Sequence, residues 1–221
     1  SGSVQVKLAL GGLHPVAGWN GAAPGDPHRG LVAIAPSIEY LERAWDDAKY
    51  GRPSQHPYVE AVFPTVHQPD LAPEGRQLLL AFVQYAPFEL AEGPWDAERE
   101  PFGRRVVATL EEAMPGLGGL VEQMEVLAPP DLEARFGLLG GNIMQGEMTP
   151  DQSFMLRPIL GYADYRTPVE GVYVCGAGTH PGGGVMGVPG WNCARVVGGE
   201  IRRQRLGDRI RGRAPRPGPD G

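Results

Sequence analysis

The feature that most constrains this chain is a glycine-rich stretch between two apolar segments, in GVYVCGAGTHPGGGVMGVPGWNCARVV (residues 171–197). Six glycines lie from Gly176 to Gly187. The preceding residues 172–175 are short, β-branched and aromatic, which is typical of a buried strand. After Gly187, apolar residues recur at roughly helical spacing, and arginines fill the last turn of that pattern. The stretch therefore predicts a strand, a glycine turn and a helix.

Such a turn has two interpretations. Glycine lets the backbone approach a ligand closely, and the following helix N-terminus offers free N–H groups and a partial positive charge. Alternatively, glycine only allows the helix to pack tightly on a sheet. The common nucleotide motifs are absent, because no lysine follows these glycines and Pro181 replaces the third glycine of a GxGxxG motif. The residues alone predict either a site for an anion or polar ring edge, or a structural turn.

Composition narrows the class of protein. The 221 residues are enough for one large domain or two small ones, and 42% hydrophobic with 21% charged residues is typical of a soluble globular protein. A net charge of −6 argues against a nucleic-acid partner. Two cysteines are too few for a disulfide scaffold, so we predict reduced, mostly buried thiols in a cytoplasmic protein. Neither a membrane-spanning run nor a metal-binding histidine spacing is visible, and membrane-surface association is not indicated.

Residues 1–136 alternate between strand and helix patterns. Strands are predicted at 3–10, 31–36, 58–64, 77–86 and 121–129, and helices from Ser37 to Tyr50, at 96–114 and after residue 128. The fold class is therefore α+β, with a mixed sheet that carries helices on one face. Residues 137–170 are predicted to be irregular.

Residues 140–194, which read GGNIMQGEMTPDQSFMLRPILGYADYRTPVEGVYVCGAGTHPGGGVMGVPGWNCA, resemble the C-terminal end of phytoene-desaturase-like FAD-dependent oxidoreductases. Within that group they are most similar to the pyridine nucleotide-disulfide oxidoreductase domain branch. The opening SGSVQVKLALGGL is similar to the entry of the family's substrate domain. The resemblance implies a substrate-binding α+β domain over residues 1–170 and the terminal strand, glycine turn and helix of an FAD-binding domain over 171–206. The Arg/Pro/Gly-rich residues 207–221 are expected to form a disordered tail.

The resemblance also implies a cofactor, FAD, and the residues near it. In the family, an N-terminal half that this sequence lacks carries the GxGxxG that binds the ADP part of FAD. That half is the expected partner of this chain. The turn residues would approach the flavin, ribityl and pyrophosphate parts, and the helix dipole would stabilise negative charge on reduced flavin. The implied cofactor-binding residues are Gly176, Ala177, Gly178, Gly183, Gly184, Val185, Met186, Gly187 and Val188.

Polar residues in and before the glycine turn are the candidate catalytic and substrate residues. His180 is a candidate catalytic residue near the flavin, with a purely structural role as its alternative. The family often has histidine where this chain has Gln145, which puts a catalytic base at that position in doubt. We consider Asn142, Gln145, Arg157 and Tyr162 as substrate contacts, although an arginine before proline is as often a donor that pins a loop.

These inferences define an expected function. The chain would be part of a flavin-dependent oxidoreductase that dehydrogenates or isomerises an apolar, polyene-like substrate by hydride transfer to FAD. Without the ADP-binding half of the cofactor site, it would be inactive alone. The alternative from another class is a non-catalytic α+β ligand-binding or scaffold module whose glycine turn is structural.

Overall fold

The chain folds into two compact units. The computed structural model describes residues 2–17 and 26–211. One unit is Ser1–Asn142, here called the sheet unit, and the other is Ile143–Gly221, here called the turn unit. From the sequence we predicted a domain boundary after residue 170 instead. Residues 143–170 therefore belong with the glycine turn, and the contacts described below explain why.

The sheet unit is built on five strands in the order β2-β3-β4-β1-β5. All four pairings are antiparallel, so the α+β class is confirmed but the predicted mixed sheet is wrong. Each strand pattern was readable from the sequence, whereas the direction of pairing depends on connections between distant elements. The strands are β1 Gly2–Leu10, β2 Val32–Ile34, β3 Tyr58–Val62, β4 Gln77–Ala86 and β5 Val121–Leu127.

Helix positions follow their sequence signals closely. The Ser37 hydroxyl accepts a hydrogen bond from the Tyr40 N–H at 3.1 Å and so caps the second helix, as predicted. Gly51 follows this helix with a φ of 77°, a conformation that glycine adopts at little cost. The helices of this unit are α1 Asp26–Arg29, α2 Ile38–Lys49, α3 Trp95–Ala113 and α4 Pro129–Phe136.

The core lies between one face of the sheet and the helices. Alternate residues of β1 are fully buried, as the clean alternation of its sequence predicts. These residues of β1 form one hydrophobic cluster with alternate residues of β4 and with Phe102, Val106 and Leu110 of α3. Burial of these side chains stabilises the fold by about 25 cal/mol for each Å² of apolar surface removed from water. The opposite face of the sheet is only half buried.

An ion pair fixes the start of α4. Asp131 accepts a hydrogen bond from the Ala128 N–H at 2.8 Å and two from Arg99, at 3.0 and 2.8 Å. Burial alone would raise the pKa of Asp131, but the Arg99 guanidinium and the Ala128 N–H outweigh it and hold that pKa below its usual range. The carboxylate thus joins α3 to the N-terminus of α4.

We predict that Asp131→Asn lowers the free energy of unfolding by about 1 to 3 kcal/mol at pH 7. Because the folded pKa is depressed, this stabilisation is present above the unfolded pKa of about 3.9 and is lost as the pH falls through the folded value. Urea unfolding at several pH values should therefore show the difference shrinking below about pH 4. Asp96→Asn is the control, since Asp96 pairs with the same Arg99 but is 81% exposed. An equal effect of both substitutions, or no pH dependence, would contradict the prediction.

The turn unit has little regular structure before its long helix, α5 Val188–Ile210. The predicted strand over 172–175 is wrong, because Tyr173 forms only an isolated bridge with Arg166. Val172 and Val174, predicted to be buried, are about half exposed. A strand needs a neighbour to pair with, and among the described residues this segment has only that bridge. The helix after the glycine turn is confirmed.

Helix α5 continues beyond residue 206, where the expected FAD-binding part of the chain ends. Residues 207–210 are helical, so the predicted disordered tail cannot begin at Gly207. The rest of that tail, from residue 212, lies outside the described residues. Over residues 2–17 and 26–211, no helix combines the length and apolar character needed to cross a membrane.

Candidate functional site

The glycine turn of residues 176–187 is an irregular loop that needs glycine at several positions. Gly176, Gly182, Gly184 and Gly187 have φ values of 101°, 106°, 120° and 69°, where L-amino acids are strained. The Thr179 N–H donates to the Gly176 carbonyl at 3.0 Å, and the Gly182 N–H donates to the Thr179 carbonyl at 2.7 Å. Two successive tight turns therefore account for part of the glycine content.

Gly178 has no such explanation. Its φ is not in the left-handed region, and a Cβ atom built there would meet nothing within 4 Å among the described residues. Neither backbone conformation nor packing inside the turn unit requires glycine at this position. A purely structural turn leaves Gly178 unaccounted for.

Val185 adds a second anomaly. It is a β-branched residue with a φ of 57°, and its side chain is fully exposed. A β-branched residue in this region is an outlier that costs on the order of 1–3 kcal/mol. Since its own side chain gains no burial, the strain reflects the path of the backbone between Gly184 and Gly187.

The turn is supported on one side and open on the other. A Cβ at Gly182 would lie 3.1 Å from the Met148 side chain, and one at Gly183 would lie 3.3 Å from the Met144 sulfur. By contrast, a Cβ at Gly176, Gly178 or Gly187 would meet nothing within 4 Å in the described part of the chain. The segment around residues 144–148 therefore packs against one side of the turn, and the backbone of the other side is accessible.

A buried arginine fixes that arrangement. Arg157 is 1% exposed, and its Nε and Nη2 atoms donate to the Ala177 carbonyl at 3.1 and 2.8 Å. Nη1 donates to the Glu147 carbonyl at 2.9 Å, and Nη2 also donates to the Met144 carbonyl at 2.9 Å. Longer bonds reach the carbonyls of Gln145 and Gln152. Of the two roles considered for Arg157, these bonds favour loop pinning over substrate contact.

Helix α5 begins directly after the glycine turn. Within the described residues, no side chain caps this helix, and the first helical bond runs from the Trp191 N–H to the Gly187 carbonyl at 3.0 Å. Pro189 removes one N–H from the first turn. The other N–H groups of that turn, together with the helix dipole, can bind a hydrogen-bond acceptor or negative charge.

A hydrogen bond to its backbone carbonyl holds His180 in place. Its carbonyl accepts from the Tyr165 hydroxyl at 2.8 Å, and that hydroxyl accepts from the Asn192 side chain at 2.9 Å. The His180 ring lies 6.5 Å from the Phe154 ring, and its Nδ1 atom is buried without a hydrogen-bond partner among the described residues. A buried ring nitrogen without a partner costs free energy in the folded chain.

The remaining predicted residues lie in different places. Asn142 ends the sheet unit, whereas Gln145 and Tyr162 lie in the turn unit with Arg157. Gln145 is exposed, with a φ of 60°. Tyr165 was missed by sequence reasoning, although it is buried and orients both His180 and Asn192. Over the described ranges, no three His, Cys, Asp or Glu side chains are grouped to hold a metal ion.

A second candidate site lies on the open face of the sheet unit. Strand register places Phe82 between Glu60 and Gln5, and Leu80 between Val62 and Lys7. These side chains line a cavity of about 190 Å³. The sequence contains a sign of this site. In a strand with one face toward water the outward residues are normally polar, but the outward residues of β4 are apolar.

Charged groups border this apolar patch. The Tyr58 hydroxyl donates to Glu60, and burial followed by that carboxylate raises the pKa of Tyr58 to about 12. Lys7 Nζ lies 3.0 Å from a Glu125 carboxylate oxygen. The open face can therefore bind an apolar group at its centre and a polar group at its border.

No family model matches the chain. Individual relatives do, and by their names they are oxidoreductases and carotenoid desaturases. The chain is 43% identical to pyridine nucleotide-disulfide oxidoreductase domain-containing protein 2 of Mus musculus over 182 residues, which are 79% of this chain and 31% of that protein. The Rattus norvegicus protein of that name is 45% identical over 71% of this chain and 27% of its own length. The neurosporene-forming phytoene desaturase of Cereibacter sphaeroides is 32% identical over 58% of this chain and 24% of its own.

These matches confirm the relationship that residues 140–194 indicated. The chain is a relative of the pyridine nucleotide-disulfide oxidoreductase domain proteins and of the phytoene desaturases. Its matched residues span 31% of the length of the Mus musculus protein and 27% of the length of the Rattus norvegicus protein.

We predict that Arg157→Lys destabilises the turn unit by about 2 to 3 kcal/mol, since one ammonium cannot replace a guanidinium that bonds to five carbonyls. Hydrogen exchange should show faster exchange for the amides of residues 144–152 and 176–183. Arg205→Lys, at an exposed position of α5, is the control. Unchanged protection of both segments in the Arg157 variant would show that the guanidinium does not hold them together.

Proposed function

We propose that this chain is part of an FAD-dependent oxidoreductase that dehydrogenates or isomerises an apolar substrate. The observation that carries the proposal is the one-sided glycine turn, which is packed by the segment around Met144 and open over Gly178. A flat ring held against backbone would use that open side and would explain a glycine that the chain's own packing does not require. The oxidoreductase names of the relatives support the same class of reaction.

The residues of the turn fit a flavin edge. The open side of Gly176 and Gly178 and the first turn of α5 would hold it, since a Cβ at either glycine would meet nothing within 4 Å among the described residues and no described side chain caps the helix. The bound FAD would supply acceptance of a hydride from the substrate. Helix N–H groups would donate to acceptor atoms of the ring, and the helix dipole would favour negative charge there.

The open face of the sheet unit is the proposed substrate surface. Val62, Leu80 and Phe82 offer an apolar patch, which favours a hydrocarbon-like substrate by removing its surface from water. Glu60 and Lys7 at the border would orient a polar group where the substrate has one. His180 is the proposed ionisable group near the flavin, because it lies in the glycine turn between Gly178 and Gly182.

We predict that the 221-residue chain alone binds FAD weakly or not at all. In this proposal, the ADP part of FAD is held by a pyrophosphate-binding helix and an acidic residue of an N-terminal half. Each lost charge-assisted hydrogen bond weakens binding by about 1.5–3 kcal/mol. At about 1.4 kcal/mol per decade, two or three such losses take a nanomolar site to micromolar or weaker. Titration followed by flavin fluorescence and calorimetry measures this affinity, with the full-length protein as the reference.

Each outcome of that titration has a distinct meaning. Stoichiometric sub-micromolar binding by the 221-residue chain would show that the site is complete within these residues, which contradicts the division proposed here. A full-length protein that folds but binds no flavin would favour the rival class, a non-catalytic α+β module with a structural turn.

We further predict that Gly178→Val removes flavin from the full-length protein without unfolding it. Gly187 is a poorer test, because its φ of 69° would strain any side chain. Gly178 has neither a left-handed φ nor a neighbour within 4 Å in the described chain, so its substitution reports on an external ligand. Gly119→Val, at an equally open position of the sheet unit, is the matched control. Unchanged flavin absorbance per protein in the Gly178 variant would refute the cofactor role of the turn.

A further inference from the structure

The two cysteines of the chain lie on either side of the glycine turn. Cys175 immediately precedes Gly176 and is exposed, which corrects the expectation that both thiols are mostly buried. Cys193 lies near the start of α5 and is 8% exposed. Both are free thiols. The described contacts give neither of them a role in the turn itself.

Hydrogen bonds from Arg166 and Tyr173 hold the segment before the glycine turn against α5. The Tyr173 hydroxyl donates to Glu200 of α5, and the Arg166 Nε donates to the same carboxylate at 2.5 Å. This anchors residues 173–175 along the helix. Cys175 lies two residues after Tyr173, so the same bonds hold it near the helix.

The helix presents Cys193 on the matching face. Cys193 and Glu200 are seven residues apart, which places them on one face of α5, two turns from each other. Tyr173 is held at Glu200 on this face, and Cys175 follows it two residues later in the chain. The two thiols are close enough to interact: burial and then the Cys175 thiol raise the pKa of Cys193.

We propose that Cys175 and Cys193 are a redox modification site, a dithiol that closes reversibly to a disulfide across the glycine turn. The exposed Cys175 reacts first, because attack requires an accessible thiolate. Cys193, buried beside it, completes the bond. The disulfide would enclose residues 176–192, the glycine turn and the first turn of α5, in a covalent loop. This inference is independent of the proposed flavin site.

The reaction balances with a small disulfide such as oxidised glutathione. The Cys175 thiolate attacks one sulfur of that disulfide, forms a mixed disulfide and releases one glutathione thiolate. The Cys193 sulfur, losing its proton to solvent, then attacks the Cys175 sulfur and displaces the second glutathione. Two protein thiols are oxidised by two electrons, and one disulfide is reduced to two thiols.

The experiment equilibrates the 221-residue chain with reduced and oxidised glutathione at a series of ratios and pH 7. Reaction is stopped with acid, free thiols are alkylated, and intact mass counts them. The expected product is an intramolecular disulfide without bound glutathione. The same titration in denaturant is the control, and the folded chain should form the bond with an equilibrium constant at least about tenfold larger, which is about 30 mV for a two-electron couple.

Single substitutions identify the role of each thiol. Cys193→Ser should stop at the mixed disulfide on Cys175, and Cys175→Ser should stay unmodified because Cys193 is buried. Either of two results would overturn the proposal: glutathione on Cys175 with no intramolecular bond in the unsubstituted chain, or no preference of the folded chain over the denatured one. Because neither measurement involves flavin, failure here would leave the proposed function untouched.

Discussion

The turn unit depends on the buried guanidinium of Arg157. Before α5, this unit has almost no strand or helix, so its backbone polar groups lack the regular ladders that normally satisfy them. One planar group with five N–H donors replaces such a ladder by bonding to carbonyls from residue 144 to residue 177. A buried charge is costly unless it is hydrogen-bonded, and the carbonyl oxygens supply that compensation. This one side chain therefore joins the loop of residues 144–152 to the glycine turn.

That attachment is one-sided, and this asymmetry gives the turn its chemical character. Arg157 and the methionines at positions 144 and 148 occupy one side, so the backbone of the turn cannot collapse in that direction. The other side leaves open space at Gly176, Gly178 and Gly187, next to a helix N-terminus that no described side chain caps. Val185 remains strained and exposed because its backbone follows this path. A surface of this kind is suited to a flat, polar-edged ligand more than to another side chain.

Sequence patterns predicted those features that depend on neighbours along the chain. The alternation of β1 and the Ser37 cap were both confirmed, because each is a local arrangement. The strand at 172–175 failed because its apolar run is identical whether or not a partner strand lies beside it. Antiparallel pairing could not be predicted for the same reason. At the site, glycine content showed where the turn is, but only φ values and neighbouring atoms distinguish Gly187, which its conformation requires, from Gly178.

The open face of the sheet follows a different rule from the turn. An antiparallel sheet that faces water normally presents polar side chains outward, and β1 does so with Gln5 and Lys7. Strand β4 instead presents Leu80 and Phe82 between these residues and the outward side chains of β3. Apolar side chains kept half exposed contribute less to folding than buried ones, so stability alone does not favour them there. In the proposed function, a ligand with an apolar body and a polar end would bind beside Glu60 and Lys7 and gain from both kinds of neighbour at once.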